Sequence, residues 1–458
     1  MDAERIIIGG GPAGLAKAFW HKRQHPEQRV LVLEARSRIG GWVHSERREG
    51  FLCENGPQAI RPAESFDQLV AALGVQDRLA AASQLASTRW IGRGGKLLAV
   101  PSGPLSALRS RLLTFGGKLR LLREAKVAAR KQGEPEGMAA FCARRFGPET
   151  VPLVQAMVGG VFGGDAARLE VASAFPTLAE LENEHGSVMR GMRARRKAKR
   201  AAGPKPKGPA LVTFGGGMSE LCQHLADAIG DDLRCDAPVE RVRRDDDGWT
   251  VSMCDGTQLR AEQVTMACPA HVTARLLAEE APQLCSELAA IPFASLASVY
   301  LGVPMASPQK NLQGFGFLLS DQPDNPVLGA IYVSQIFPGH APVGQLLLRV
   351  MIGGARHPDA VDFDDAKLIE SALQTVSQHT GATIEPSFTH VVRCRSAIPQ
   401  YELGHDTRLQ RITTMLTDLP GLDLCGNSYK GVAVTAQLGS DAGLATPVIT
   451  TEAEVALS

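Results

Sequence analysis

The sequence is short of the residues that would place it in several large classes of protein. Its nine cysteines stand singly, without a CxxC pair or a Cys/His cluster at zinc spacing, so neither a metal site nor a disulfide framework is predicted, and reduced cytosolic thiols fit this usage. A net charge of +1 argues against a nucleic-acid partner. No apolar run approaches the ~18 residues of a membrane span, and residues 6–8 are too short for a signal-peptide core. Any membrane contact would be peripheral.

The chain has the size and composition of a multidomain globular protein. Its 458 residues suffice for about three domain-sized units, and 44% hydrophobic with 21% charged residues excludes a disordered or fibrous protein. Residues 5–8 predict a buried strand, 13–24 a helix and 30–33 a second strand. This order predicts a βαβ unit of the Rossmann type.

Other elements follow from periodicity and turn residues. Residues 64–200 are predicted to be mostly helical, and residues 293–400 to mix strands with a helix. Individual helices are expected at residues 218–229, 364–380 and 435–445, and strands at 239–242, 249–253, 264–267 and 422–425.

The connection between the first predicted strand and helix carries a GxGxxG motif. Gly9 allows the tight turn, Gly11 lets the backbone approach a pyrophosphate, and Gly14 permits close packing of helix on strand. Pro12 and Ala13 open the helix, whose free N–H groups and positive dipole favour phosphate. The motif predicts a dinucleotide site because it lies between a strand and a helix.

An acidic residue follows at the spacing this site requires. Glu34 ends the second predicted strand, where a carboxylate can accept hydrogen bonds from an adenosine ribose, and Ala35 and Arg36 complete the contact. The following arginine and Gly40-Gly41 resemble a second pyrophosphate contact of amine-oxidase-type FAD enzymes. Since no second GxGxxG is present for NADPH, FAD is the predicted cofactor, with electrons taken from an organic substrate.

A series of further motifs runs in one order along nearly the whole chain. They are Gly40-Gly41-Trp42, Glu54-Asn55-Gly56-Pro57, Ile60-Arg61-Pro62, Val161-Phe162-Gly163-Gly164-Asp165, Gln313-Gly314-Phe315-Gly316-Phe317-Leu318, Phe337-Pro338, Ile398-Pro399-Gln400-Tyr401 and residues 426–434. Together they resemble the oxygen-dependent protoporphyrinogen oxidases. The resemblance implies removal of six electrons from a porphyrinogen in three FAD cycles, with oxygen reduced to hydrogen peroxide, in haem biosynthesis.

The resemblance also implies a fold that is α/β plus α+β. It has a discontinuous Rossmann-like FAD domain, a mixed-sheet substrate domain and a helical membrane-facing domain. The implied segments are 1–75, 206–290 and 401–458 for FAD, 76–205 for the helical, substrate-lining region, and 291–400 for the substrate sheet.

Cofactor and substrate residues are carried over from the resemblance position by position. The implied FAD contacts beyond the glycine turn are Trp42, Gly56, Pro57, Val239, Val242, Gly426, Asn427, Val432, Ala433 and Val434. The implied substrate contacts are Gln58, Arg89, Gly316, Leu318 and Phe337. Arg89 would bind a propionate, because its planar fork can donate two parallel hydrogen bonds.

No catalytic base is assigned. His185 and His405 lie in motifs, but a lone motif histidine is more often structural, and flavin chemistry needs orientation more than a base. Two positions depart from the family: Gln58 stands where relatives often carry Arg or Asn, and residues 435–438 differ from the common ending. Thr435 is expected to cap the helix predicted there.

Two basic segments suggest a lipid surface. Residues 190–208 hold nine cations and no acid: Arg190, Arg193, Arg195, Arg196, Lys197, Lys199, Arg200, Lys205 and Lys207. Within residues 104–131, cations interleave with Leu105, Leu108, Leu112, Leu113, Leu119, Leu121 and Leu122, which predicts a basic amphipathic helix. The alternatives are a solvated helix end with a loop, or attraction to anionic lipid at ~1 kcal/mol per cation.

Several functions stay open at this stage. A coproporphyrinogen oxidase of the same superfamily is one alternative; an amine oxidase or carotenoid desaturase is another, although aromatics are only 5% and no carboxyl-terminal aromatic pair is seen. A non-enzymatic flavoprotein is a third. The expected location is cytoplasmic, with peripheral attachment to the cytoplasmic face of the inner membrane, and a homodimer is left open.

Overall fold

The structure is a computed structural model. It describes residues 1–101, 106, 109–131, 133–201, 203, 208–305, 312–320 and 324–444. Leu105, Leu108, Lys205 and Lys207, and the end of the helix predicted at 435–445, lie outside the described residues.

Eighteen strands occur in the described part of the chain. In chain order they are β1 (Ala3–Ile8), β2 (Val30–Leu33), β3 (Ser45–Arg48), β4 (Phe51–Glu54), β5 (Leu79–Ala81), β6 (Arg89–Arg93), β7 (Lys96–Ala99), β8 (Val212–Phe214), β9 (Leu233–Arg234), β10 (Val239–Asp245), β11 (Gly248–Met253), β12 (Gln258–Met266), β13 (Phe293–Pro304), β14 (Gly316–Leu319), β15 (Val327–Tyr332), β16 (Gln345–Gly353), β17 (Phe388–Pro399) and β18 (Leu422–Leu424).

The α-helices of the described residues alternate with these strands. They are α1 (Pro12–Gln24), α2 (Glu64–Leu73), α3 (Phe115–Leu122), α4 (Met138–Phe146), α5 (Val151–Phe162), α6 (Val171–Ala174), α7 (Pro176–His185), α8 (Val188–Ala201), α9 (Ser219–Ile229), α10 (Ala270–Leu276), α11 (Pro282–Ala289), α12 (Val333–Ile336), α13 (Asp365–Thr380) and α14 (His405–Leu416).

The chain divides into two compact units, and the first comprises residues 1–41, 222–291 and 406–458. Its sheet has the order β10-β11-β12-β1-β2-β9, with β18 also paired to β12. β1 is parallel to β2 and β12, and all four residues of β2 are buried. Strands buried on both faces are typical of parallel sheets covered by helices. The predicted Rossmann-type βαβ unit, β1-α1-β2, is confirmed.

The second unit comprises residues 42–221 and 292–405. Its large sheet has the order β17-β13-β16-β15-β14-β6-β7 and is antiparallel except where β14 runs parallel to β6. The fully buried side chains of β13 and β16, including Val299, Leu301, Leu348 and Val350, form its core with α13. The α13 prediction at residues 364–380 is confirmed.

Two secondary-structure predictions are wrong in part. Residues 64–200 were expected to be mostly helical, but Leu79–Ala81, Arg89–Arg93 and Lys96–Ala99 form β5, β6 and β7. β6 pairs with β14 over residues 89–92, and such tertiary pairing overrides local preference. Within the basic helix expected over 104–131, the described residues that are α-helical are Ser106, Arg109 and those of α3. Thr114 caps the start of α3 by accepting a hydrogen bond from Gly117 N, and Arg123 ends it.

The prediction of a helix at 435–445 is also wrong for the described residues, 435–444. Residues Val434–Gln437 form a short 3-10 turn, and Gly443 has a φ of +118°, which a helix does not accommodate. Thr435 lies inside this turn, whose N-cap residue is Ala433, so the prediction that Thr435 caps a helix is wrong.

The boundaries of the two compact units differ from those of the five predicted segments. Residues 222–290 and 406–444 of the predicted FAD segments lie in the first unit, whereas 42–75 and 208–221 lie in the second. The assignment of FAD and substrate roles to segments stays a prediction. Within the described ranges, no helix is both long enough and apolar enough to span a membrane.

Candidate functional site

In the glycine turn after β1, two positions have no space for a side chain and one position has space. A side chain at Gly9 would place its Cβ 2.8 Å from Ala267 O, and one at Gly14 would place it 2.0 Å from Gly9 O. Both positions therefore admit only glycine. A Cβ at Gly11 would meet no atom within 4 Å, so the turn leaves free space at the point where a pyrophosphate is expected to approach the backbone.

The start of α1 faces the same turn. Gly11 is its N-cap and offers no side-chain acceptor, and Pro12 occupies the first turn. The other first-turn N–H groups therefore keep their hydrogen-bonding capacity and the helix its positive end, which together suit a phosphate. Ala13 is buried behind them.

Glu34 is held at the end of β2 by two backbone donors. Its carboxylate accepts hydrogen bonds from Gly10 N at 2.8 Å and from Arg36 N at 2.9 Å. An ionised carboxylate has about four acceptor positions, so Glu34 retains the capacity to accept ribose hydroxyls. Ala35 beside it is exposed.

A second chain segment joins Glu34. Ala237 N donates to Glu34 O, and Asp236 N donates to Arg36 O, both at 2.9 Å. These bonds bring the start of β10, and with it Val239, to the acidic end of β2. Val242 lies further along β10 and is buried in the core.

The Gly40-Gly41 loop folds back onto the glycine turn. Gly40 N donates to Gly10 O at 2.8 Å, and Arg38 Nη1 donates to Gly41 O at 3.0 Å. The pKa of Arg38 is lowered mainly by its partial burial and secondly by the positive charge of Arg36. An arginine followed by Gly40-Gly41 was predicted as a pyrophosphate contact, and Arg38, two residues before Gly40, fits that pattern.

The carboxyl-terminal motif lies in the first unit next to β18. Gly426 has a φ of +115°, and a Cβ there would meet nothing within 4 Å, which gives the loop a second open position. Ser428 Oγ accepts from Ala270 N, so the loop is tied to α10. Beyond Asn427, the predicted contacts Val432, Ala433 and Val434 precede or begin the 3-10 turn and are at least partly exposed.

Gln437 is a functional candidate that the sequence did not reveal. It is 6% exposed, and its Nε2 donates to Lys430 O at 3.0 Å and to Gly431 O at 2.6 Å. These bonds fold residues 435–438, the segment that departs from the family sequence, back over the carboxyl-terminal motif. The first unit thus offers open backbone, a free helix start and an acidic strand end, and this set fits FAD.

In the second unit, the segment after β4 is fastened to the large sheet. Tyr300 on β13 accepts from Glu54 N at 2.8 Å and donates to Glu54 O at 2.6 Å, and Arg349 on β16 donates to Gly56 O at 2.7 Å. A Cβ at Gly56 would lie 2.2 Å from Trp42 O. The predicted contact Gly56 is therefore held by Arg349, which the motifs did not single out, and it lies close to the predicted contact Trp42.

The Glu54 carboxyl is fully buried beside this segment. It accepts hydrogen bonds from Ser45 Oγ at 2.7 Å and from Met218 N at 2.8 Å. Burial raises its pKa to about 7, because these donors and Arg349 only partly offset the lost hydration.

Gln58 lies among buried rings. It is 8% exposed, and its Nε2 lies 3.4 Å from Nδ1 of His340, whose ring stacks on Phe337 at 5.2 Å. Burial, and then the charge of Arg47, lowers the pKa of His340 to about 4, so its neutral ring can accept a hydrogen bond from the Gln58 amide.

Arg89 stands at the edge of the same group of side chains. It pairs with Gly316 across β6 and β14, and its guanidinium lies 5.0 Å from the centre of the Phe315 ring. Phe315 packs against a buried cluster that contains Phe337. Arg89 also lines a cavity of about 430 Å³ whose other lining residues are small, apolar or neutral polar: Ala82, Ser83, Gln84, Ala86, Ser87, Val100, Pro101, Ala210 and Leu211.

Leu318 belongs to a different cluster. It packs with Ile91, Leu112 and Ala156, and its methyl group would lie 2.6 Å from a Cβ at Gly160. The structure therefore brings Gln58, Arg89, Gly316 and Phe337 to one neighbourhood. Leu318 lies two residues along β14 from Gly316, on the same face of the sheet, and packs towards α5.

Neither of the two motif histidines is assigned as a base. His405 is buried and stacks on Tyr401 at 4.3 Å, while His185 lies 3.7 Å from Glu184 at the end of α7. In the part of the chain that the structure describes, no group of three or more His, Cys, Asp or Glu residues could hold a metal.

Comparisons with known proteins agree with these features. Residues 12–440 match the family described as flavin containing amine oxidoreductase. The protoporphyrinogen oxidase of Homo sapiens is 32% identical over 99% of both chains, and the coproporphyrinogen III oxidase of Bacillus subtilis is 27% identical over 94% of both. A solved structure of a candidate protoporphyrinogen oxidase from Exiguobacterium sp. 255-15 matches 96% of both chains, with a TM-score of 0.81 at 23% identity, which supports the fold. The chain belongs to the flavin containing amine oxidoreductases.

Proposed function

We propose that this protein oxidises protoporphyrinogen IX to protoporphyrin IX in haem biosynthesis. The observation that carries the proposal is the neighbourhood of Arg89, Phe315 and Phe337, which offers apolar rings with one cation at the edge. A porphyrinogen has the matching form, a large apolar ring with carboxylates on one side. The 32% identical relative with this printed activity supports the same substrate class.

The side chains named above have separate roles in this proposal. The Arg89 guanidinium donates two hydrogen bonds to a propionate, and the rings of Phe315 and Phe337 contact the tetrapyrrole face. Gln58 offers its amide to the polar centre of the ring. Together they orient the substrate and exclude water from it.

FAD is the cofactor of this chain, and when bound it supplies hydride acceptance from carbon and reoxidation by oxygen, with hydrogen peroxide as the product. The first unit holds it through the open backbone at Gly11 and Gly426, the start of α1 and the Glu34 carboxylate. No side chain is assigned as a base. Six electrons leave the substrate in three cycles, and three molecules of oxygen accept them.

Coproporphyrinogen III is the second candidate substrate, because the chain is also 27% identical to an oxidase with that printed activity. Arg61 favours this candidate. The pKa of Arg89 is lowered first by the partial burial of Arg89 and then by the positive charge of Arg61, so Arg61 lies near Arg89. A second cation would suit a substrate with four propionates. Side-by-side turnover of both porphyrinogens, compared by kcat/KM, decides between them.

The test of the oxidase itself is spectral. Anaerobic porphyrinogen is expected to bleach the flavin absorbance of the purified protein, and admission of air should restore it with peroxide and porphyrin fluorescence. An unchanged flavin spectrum would contradict the proposal and favour a non-enzymatic flavoprotein. Equal turnover without oxygen would remove the role of oxygen as acceptor.

Peripheral membrane contact is the second part of the proposal. Phe115, Leu119 and Leu122 of α3 are 81%, 39% and 74% exposed and recur at helical spacing beside Lys118 and Arg120. Helix α8 adds seven cations and ends at Ala201. These features support the attachment of a cytoplasmic protein to the anionic cytoplasmic leaflet of the inner membrane. Formation of a homodimer is a separate, further proposal.

A further inference from the structure

A cavity of about 300 Å³ lies in the first unit on one side of α1. Helical spacing places five of its lining residues on one face of α1 and the turn after it. They are Lys17, Trp20, His21, Gln24 and His25.

The opposite wall comes from the sheet. Arg5 on β1 stands directly opposite Gln263 on β12 in parallel register, and both line the cavity. Ser440 closes one end, and the segment before it is fixed because Trp20 Nε1 donates to Leu438 O at 2.8 Å. The cavity is therefore formed by three separate parts of the chain that pack within one unit.

The lining is rich in donors and contains no carboxylate. Arg5 pairs with Asp423 at 2.5 Å and donates to Thr265 Oγ1 at 2.8 Å and to Gln263 Oε1. Lys17 has no hydrogen bond or ion pair within the described residues. Two buried nitrogens, Arg5 Nε and His21 Nε2, also lack a hydrogen-bond partner there. Buried polar atoms without partners are rare in folded proteins and often mark a bound water or ion.

The electrostatic consequence is visible on His21. Burial, and then the charges of Arg5, His25 and Lys17, lower its pKa to about 4, while a side-chain hydrogen bond with Gln28 opposes them. Positive potential thus converges on a neutral imidazole inside the cavity. An anion there would offset the repulsion and allow the imidazole to take up a proton.

We infer that this cavity binds a small phosphate-bearing anion through Lys17, Arg5 and His21. A phosphate group has three strong acceptor oxygens and up to about two negative charges, so each of the three nitrogens can pair with a separate oxygen, whereas a carboxylate has two oxygens and one charge. The amides of Gln24 and Gln28 supply further donors, and Trp20 forms a wall for the remainder of an organic phosphate. The inference goes beyond the proposed oxidase activity and does not depend on it.

The test uses the complete FAD-loaded protein, so that the dinucleotide site is filled. Inorganic phosphate, pyrophosphate and succinate are titrated by calorimetry. Saturable binding of one phosphate or pyrophosphate per chain is expected, with succinate weaker. Absence of saturable binding, equal affinity for succinate, or displacement of FAD by phosphate would each overturn the inference.

Matched variants locate the site. Lys17→Gln should weaken phosphate binding about tenfold or more, because a hydrogen bond to a charged group is worth ~1.5–3 kcal/mol. Arg23→Gln removes an equal charge from the same helix at an exposed position outside the cavity and should change little. Equal weakening by both would indicate non-specific attraction and contradict the site.

A second readout does not depend on affinity. Phosphate should raise the pKa of His21, observed by NMR of labelled histidine, and proton uptake on binding should appear as a buffer-dependent enthalpy. His21→Gln should abolish that proton uptake while phosphate still binds. A His21 signal that phosphate leaves unchanged in a correctly folded protein would overturn the assignment.

Discussion

Arg89 is the residue on which the proposed substrate recognition depends most. Arg89→Gln should raise KM for the porphyrinogen about tenfold or more, with a smaller effect on kcat, since a charge-assisted hydrogen bond is worth ~1.5–3 kcal/mol. Arg89→Lys keeps the charge but loses the planar fork and should be intermediate. Porphyrin fluorescence measures both. Lys96→Gln, on the exposed neighbouring strand β7, is the control, and an unchanged KM in Arg89→Gln would refute this role.

Glu54 makes the stability of the protein depend on pH. Its pKa is about 7 in the folded protein against 4.5 for the free side chain. Between these values the folded state holds more protons than the unfolded state, so the free energy of unfolding falls as pH rises. The loss is at most about 3 kcal/mol and is complete above pH 7.

Glu54→Gln keeps the shape of the protonated acid and should remove this loss. Denaturant unfolding at pH 5 and pH 8 is expected to show a smaller decrease in the variant than in the parent. Glu385→Gln changes an exposed acid in the same unit and is the control. A pH dependence in Glu54→Gln equal to that of the parent would show that Glu54 is ionised when folded.

At the scale of elements, α3 presents the apolar face that the membrane proposal needs. Phe115→Ser and Leu122→Ser should each lower the affinity for anionic liposomes about tenfold, because burial of such a side chain is worth ~1.5–3 kcal/mol. Co-sedimentation at low salt measures the effect. Val343→Ser removes an equally exposed apolar side chain elsewhere and should leave binding unchanged. Liposome binding that none of these variants alters would exclude α3 as the contact.

The 3-10 turn at Val434–Gln437 is hydrogen-bonded to the predicted carboxyl-terminal flavin motif through Gln437. Gln437→Leu would leave Lys430 O and Gly431 O without their donor, at a cost of ~1–3 kcal/mol. The motif should loosen and FAD should dissociate about tenfold more readily, as followed by the fluorescence of released flavin. Lys430→Gln alters only an exposed side chain and preserves both carbonyls, so its FAD affinity should match the parent.

At the scale of the whole molecule, FAD binding and folding should be linked. Apoprotein with FAD at 100 times its Kd should be stabilised by about 2.7 kcal/mol, which thermal unfolding detects. Riboflavin lacks the pyrophosphate and adenosine that the glycine turn and Glu34 are expected to contact, so it should stabilise much less. Equal stabilisation by the two flavins would show that the turn does not hold a dinucleotide.

The sequence determined the parts of this protein that depend on local chemistry. The glycine spacing at 9–14, the strand that ends at Glu34 and the helix at 365–380 follow from short-range rules, because φ angles, close approaches and apolar periodicity are written within a few residues. The family motifs added Arg89 and Phe337 to one predicted site.

Only the tertiary structure decided what depends on distant chain segments. The strands at residues 79–99 exist because β6 pairs with β14, more than two hundred residues away. Arg349 and Tyr300 fasten Gly56 and Glu54 from other strands, and Gln437 folds over a loop that precedes it. Local sequence cannot encode such partners, because hydrogen bonds and burial between remote segments arise only when the whole chain has packed.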